Sequence, residues 1–209
     1  MAEFSPLARS SITPAEPPTA VDGWEVSGAR SETPLRVTDC TPMAKVSVRA
    51  DPEGSLARAL SVPFGRSQRD QQDALVIGSG PGEWLLLAGT GTAPVLVDRV
   101  RRLAGTEFAS AIDLTHGRAL IRLTGGDAAQ LLAKLCAIDL SDVTTPDGSA
   151  LRTSVASVVT DVIREDQGET DSYWLHCERS LGQSLFDALL DAGAEFGIGV
   201  NGFLASASV

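Results

Sequence analysis

Three glycines, Gly78, Gly80 and Gly82, follow the apolar run Leu75-Val76-Ile77 and invite comparison with a phosphate-cradling loop. A dinucleotide fingerprint needs its glycines between a strand and a helix N-terminus, because the helix supplies free N–H groups and a positive dipole end. Glu83 stands where that fingerprint needs its last glycine, and Glu83-Trp84-Leu85-Leu86-Leu87 reads as a strand. "GSGPG" is therefore expected as a hairpin turn, with Pro81 presetting φ and the glycines permitting positive φ. His116 and His176 are the only histidines, and the Gly-x-Ser-x-Gly turn that exposes a hydrolase nucleophile is absent from the sequence. Asp113 and His116, in "DLTHGR", read as a strand end and turn whose polar side chains meet the backbone. Glu165, Asp166, Glu169 and Asp171 have the composition of an acid/base pair, but they cluster around Gly168 between two strands and are expected to form a solvated hairpin tip. Cys40, Cys136 and Cys177 are far apart with no Cys-x-x-Cys pair, which argues against a zinc ribbon or disulfide framework and fits a reducing compartment. No residue acquires a catalytic, cofactor-binding or metal-binding role from this reading.

The elements that would position such side chains are bounded by composition. The chain has 209 residues, with 17 Lys plus Arg against 27 Asp plus Glu. The resulting charge of -10 opposes attraction to nucleic acid and to anionic membranes. The basic run Asp98-Arg99-Val100-Arg101-Arg102 lies on a helix-like segment with Val95, Leu96, Val100 and Leu103 as its apolar face, and reads as a solvated or salt-bridging rim. No stretch approaches the ~20 apolar residues that span a bilayer, and the start lacks a signal-peptide core, so a soluble, unprocessed, cytoplasmic protein is expected. Seven of the 11 prolines fall within the first 52 residues. Proline removes N–H donors and fixes φ, so residues 1–42 are expected as an extended arm that forms no packed element.

From residue 43 the pattern changes. "AKVSVRADPEGSLARALSV" reads as an alternating strand followed by a short helix carrying Leu56, Ala59 and Leu60. "ALIRLTGGDAAQLLAKLCAI" repeats the design, with a strand over 119–123, a break at Gly125-Gly126 and a helix bearing Ala128, Leu131, Leu132 and Leu135. "EWLLLAGTGTAPVLVDRVRRLAG" likewise pairs with "YWLHCERSLGQSLFDALLDAG", putting Trp84 and Trp174 in matching places. The expectation is an α+β domain over 43–197. It is built from a duplicated strand-helix-strand-strand-helix unit, about 43–105 and about 109–197, with largely antiparallel sheets, packed helices and a tail over 198–209. The helix over 180–192, with Leu181, Leu185, Phe186, Leu189 and Leu190, is expected in the core.

"TPMAKVSVRAD", "GPGEWLLL", "DLTHGRALIRLTGGDAAQLLAKLCAIDL" and "SYWLHCERSLGQSLFDALLDAGAEFG" together resemble the gamma subunit of heterotetrameric sarcosine oxidase, over about residues 35–197. That family is similar in fold to the folate-binding domain of the glycine-cleavage T-protein, whose Asp-Val-Ser-His and glycine-led helix patterns are echoed by Asp113-Leu114-Thr115-His116 and by Gly126 through Leu132. The resemblance implies a subunit without chemistry of its own, packed against an alpha subunit in a complex with beta and delta subunits. FAD, FMN, NAD and tetrahydrofolate would belong to partner subunits that demethylate an N-methyl amino acid oxidatively and trap formaldehyde on folate. Asp161 lies nearest the family's acidic position, but "SVASVVTDVIRED" runs through without the folate loop's turn, so folate binding is not carried over. A tetrahydrofolate-binding aminomethyltransferase-like protein and a small hydrolase using His116 are the competing readings. Phe64, Phe108, Phe203 and Leu204 are candidate docking residues left outside the core, although Phe108 also fits a buried place.

Overall fold

The computed structural model describes residues 7–203. In chain order the first half runs β1 (Ala8–Arg9), β2 (Pro18–Val21), β3 (Trp24–Ser27), β4 (Arg36–Asp39), β5 (Ala44–Ala50), α1 (Ser55–Leu60), β6 (Ser67–Arg69), β7 (Leu75–Gly80), β8 (Glu83–Ala88) and α2 (Ala93–Ala104). The second half runs β9 (Ala109–Asp113), β10 (Arg118–Thr124), α3 (Ala128–Ala133), β11 (Ala150–Val155), β12 (Val158–Arg164), β13 (Ser172–Glu178), α4 (Gly182–Gly193) and β14 (Gly199–Asn201).

Two sheets carry the fold, one of five strands in the order β6-β7-β8-β5-β9 and one of six in the order β11-β12-β13-β10-β4-β14. Their pairings are antiparallel except for β14 on β4. In each sheet, a strand that precedes a short helix lies beside the last of the three strands that follow that helix. The flanking strands are exchanged: β4, ahead of the first set, pairs with β10 of the second, and β9, ahead of the second set, pairs with β5 of the first.

Packing follows from strand alternation. Val46, Val48, Trp84 and Leu86 face outward and are covered by Leu56, Leu60, Leu96 and Val100 of α1 and α2. On the other sheet Ile121, Leu123, Tyr173 and Leu175 are covered by Leu131 and Leu132 of α3 and by Leu185, Phe186 and Leu189 of α4. The opposite faces meet each other, Leu75, Ile77, Leu85 and Leu87 packing with Leu120, Ile163 and Trp174. Each fully buried leucine or isoleucine in these layers contributes about 1.5–3 kcal/mol. The result is an α+β fold of mixed sheets with few helices.

Several local expectations hold. Pro81 and Gly82 form the two-residue loop between β7 and β8, with Gly82 at φ +69°. A Cβ on Gly82 would lie 2.4 Å from the Ala50 carbonyl oxygen, so the turn needs glycine for space as well as for φ. In α4, Leu185, Phe186 and Leu189 are buried, while Leu181 is exposed at its start.

Other expectations are corrected. Residues 8–39 carry four strands: β1, β3 and β2 form a small sheet of their own, and β4 joins the six-stranded sheet. Proline does not prevent this, because Pro18 is the first residue of an edge strand, where a missing N–H costs no ladder bond. Within the expected tail, β14 pairs with β4, and Phe203 is 5% exposed in the inter-sheet core. Trp84 and Trp174 do not occupy matching places. Trp84 lies under the helices and Trp174 lies between the sheets, and Tyr173 is the residue on the helix-covered face of β13. Aligning "EWLLL" with "YWLHC" on their tryptophans is one residue out of register, which in a strand turns a side chain to the opposite face. The buried face of α2 is Ala93, Leu96, Val100 and Ala104, leaving Val95 and Leu103 exposed.

Candidate functional site

Between the sheets lies a polar cluster centred on Asp161. Register places Asp161 of β12 opposite Arg152 of β11 and His176 of β13, so the three side chains share the inner face. Arg152 Nε donates to Asp161 Oδ1 at 2.6 Å, and His176 Nδ1 lies 2.9 Å from Asp161 Oδ2. Burial works to raise the Asp161 pKa, but the hydrogen bonds from His176 and Arg152 outweigh it and hold the carboxyl below its usual range. Burial pushes the His176 imidazole below its ordinary value against the pull of Asp161. A neutral ring donating through Nδ1–H satisfies both residues. Its Nε2 is buried and hydrogen-bonds nothing among the described residues.

An aspartate-oriented imidazole is the arrangement of a general base. Here the would-be basic nitrogen is buried, and no serine, threonine or cysteine among the described residues donates to it. The trio links three adjacent strands through Asp161. Asp161 Oδ1 accepts from Arg152 and Asp161 Oδ2 lies against His176, so both oxygens of this carboxylate are engaged within the chain.

Sequence reasoning missed Lys45, which points inward from β5 and is fully buried. Its Nζ donates to the carbonyls of Thr41 (2.6 Å) and Met43 (2.8 Å). Burial lowers its pKa to about 7, opposed chiefly by the charge of Asp39. Asp39 is itself raised by burial, against hydrogen bonds from Ser10 and Thr41. Alternation in "AKVSV" was the available signal, but it assigns Lys45 to a solvated face, and in this fold both faces of the sheet are covered.

The carboxylates around Gly168 are not a solvated tip. Glu165 accepts from Arg69 Nε (2.6 Å) and from the Trp174 indole N–H (2.7 Å), and Arg122 Nη2 reaches it at 3.3 Å. Asp166 and Asp171 hold Arg164, whose side chain is only 5% exposed. Glu169 alone among the four is exposed. Arg69 arrives from the other sheet, a long-range contact that local sequence does not display. Asp113 Oδ1 accepts from the Thr115 N–H as the turn reading expects, and His116 is exposed with its ring stacked 4.7 Å from Trp24. Phe64 and Phe108 are 66% and 89% exposed, and Leu204 lies outside the described residues.

A tight turn does precede the acidic strand. Val155 pairs with Val158 across Ala156 and Ser157, both at positive φ (+49° and +67°). These are non-glycine residues in a two-residue hairpin that prefers Asn-Gly, which is why the turn was invisible in the sequence. Cys40 and Cys177 are buried free thiols, and Cys136 is partly exposed. Among the described residues no cluster of His, Cys, Asp or Glu is placed to hold a metal ion, and no helix is long and apolar enough to cross a membrane.

The sequence pattern of the GCVT N-terminal domain matches residues 68–209. The chain belongs to the GCVT N-terminal domain family. Within the solved structures, this GCVT-type chain is similar to a chain of the heterotetrameric sarcosine oxidase from Corynebacterium sp. U-96, solved in complex with pyrrole 2-carboxylate. The two are 25% identical with a TM-score of 0.69, over 87% of this chain and 91% of that one, so they are of similar length. The glycine cleavage system aminomethyltransferase T from Bartonella henselae shares the fold at a TM-score of 0.65 and 15% identity. There the match covers 88% of this chain but 55% of the other, so the GCVT-type chain spans about half of that enzyme. None of the curated proteins matches the sequence.

Proposed function

We propose that this chain is the non-catalytic gamma-type subunit of a heterotetrameric, sarcosine-oxidase-type complex, working in the cytoplasm by packing on a larger alpha subunit. The observation that carries this reading is the end-to-end likeness to a chain of the Corynebacterium oxidase, of similar length and 25% identical. The interior supports it, since Asp161 and His176 are spent on each other and on Arg152. In this reading FAD, FMN, NAD and tetrahydrofolate reside in partner subunits, beta and delta complete the complex, and the whole oxidises an N-methyl amino acid. Exposed Phe64 and Phe108 offer apolar surface for such contacts.

Co-expression with the flavin-bearing alpha subunit encoded in the same cell tests it. The chain alone should be colourless, and the pair should purify as one yellow complex. Failure of the two to associate at low salt would refute the assignment. The aminomethyltransferase-like alternative rests on the family membership and on the turn that precedes Asp161. It requires saturable quenching of tryptophan fluorescence by micromolar tetrahydrofolate in the isolated chain.

A further inference from the structure

A cleft of about 600 Å³ opens beside the inter-sheet core, walled by segments from both ends of the chain, including Thr38, Arg69, Arg122, Trp174, Asn201 and Phe203. Its size lies within the range of about 300–1,000 Å³ typical of small-molecule sites. Arg122 is held rigidly there. Its guanidinium carbon sits 4.2 Å from the centre of the Trp174 ring, Nε donates to Ser172 Oγ at 2.9 Å, and Nη2 reaches the backbone and side-chain oxygens of Glu165 at 3.3 Å. Its Nη1 has no hydrogen-bond partner among the described residues. A stacked, pre-positioned guanidinium with one free donor loses little conformational entropy when it captures an acceptor.

The surrounding charges select the ligand. Arg69 is already committed to Glu165 and Asp73. The cleft thus presents one uncommitted cationic donor near two carboxylates, which disfavours a dianion such as phosphate. Met43, Ala88, Val95 and Leu96 supply an apolar wall that a small hydrophilic anion would leave unfilled. We propose that this cleft binds a small monocarboxylate with a flat apolar body, the carboxylate on Arg122 and the body against the α2 side of the cleft. Cys40, the one thiol lining the cleft, is buried, which pushes its pKa up to about 12.

Calorimetric titration of the full chain with benzoate tests this, alongside benzyl alcohol and inorganic phosphate at matched ionic strength. Benzoate should bind saturably, with benzyl alcohol at least tenfold weaker and phosphate giving no saturation. Arg122→Gln should weaken benzoate at least tenfold. Val95→Glu, at a helix position that is 65% exposed, should keep the fold and weaken benzoate several-fold by like charge. Absence of saturable benzoate binding would overturn the proposal, as would binding that survives Val95→Glu or phosphate binding that exceeds benzoate. The measurement uses the isolated chain, so its outcome is separate from whether the chain joins an oxidase complex.

Discussion

Replacing Lys45 with methionine is expected to change the slope of stability against pH. The ammonium is fully buried and its pKa falls from 10.5 to about 7 on folding. Between those values the unfolded chain holds a proton that the folded chain has released, so stability rises with pH, at most by about 1.4 kcal/mol per pH unit. Because the folded group is half-titrated at its own pKa, the gain from pH 7 to pH 9 is about 2 kcal/mol. Two thiols oppose this at higher pH. Cys40 and Cys177 are raised by burial from 9.0 to about 12 and about 11, so the folded chain keeps protons that the unfolded chain loses, and stability falls above about pH 9. The wild-type chain should therefore be most stable near pH 9, with the rise between pH 7 and pH 9 due mainly to Lys45. Lys45→Met also leaves the Thr41 and Met43 carbonyls without their donor, a cost of about 1–3 kcal/mol each that does not depend on pH. Urea unfolding followed by circular dichroism at pH 7, 8 and 9, at constant ionic strength, gives the difference between wild type and variant, in which the thiols cancel. A difference constant within about 0.5 kcal/mol across the three values would refute the linkage argument.

Other substitutions probe the remaining features. Ala156→Asn with Ser157→Gly supplies the residues that the hairpin turn prefers and should stabilise by about 1–2 kcal/mol, read as a rise in thermal midpoint. Glu165→Ala leaves Arg69, Arg122 and the Trp174 indole N–H without their shared acceptor and should cost about 2–3 kcal/mol, measured by denaturant midpoint. Gly82→Ala introduces both a disfavoured φ and a contact with the Ala50 carbonyl, and should cost more than about 2 kcal/mol by the same measure. His176, lowered by burial, and Asp161, lowered by its partners, both release stability as acid protonates them. Asp161→Asn should accordingly flatten the decline in stability below about pH 4, measured by acid titration of the circular dichroism signal.

The layers were legible where periodicity and turn chemistry agree. Strand alternation around Val46 and Ile121, the Pro81-Gly82 turn, and the apolar stripe of α4 all carry their meaning within a few residues. What stayed hidden depends on partners distant in sequence. Lys45 and Arg122 sit at alternating positions that normally face water, and only the second sheet turns that face into an interior. Glu165 looked solvated because the arginine from β6 that pairs with it lies 96 residues away. The Trp84 and Trp174 mismatch has a different origin: two adjacent aromatic residues in "YW" allow two alignments, and only pairing register selects between them. Proline counting failed over residues 8–39 because it registers missing donors without asking whether an edge strand needs them.

The exchange of β4 and β9 bears on how the molecule is assembled. A break after Gly105 would leave each fragment holding a ribbon whose only seat is in the other, so neither half possesses a finished edge by itself. The pairing of Ile121 with Asp39 joins positions on either side of the whole first sheet. Folding must therefore wait for distant closures and complete both halves together. Two such fragments, mixed in solution, should recognise one another as a lock recognises its own cut key.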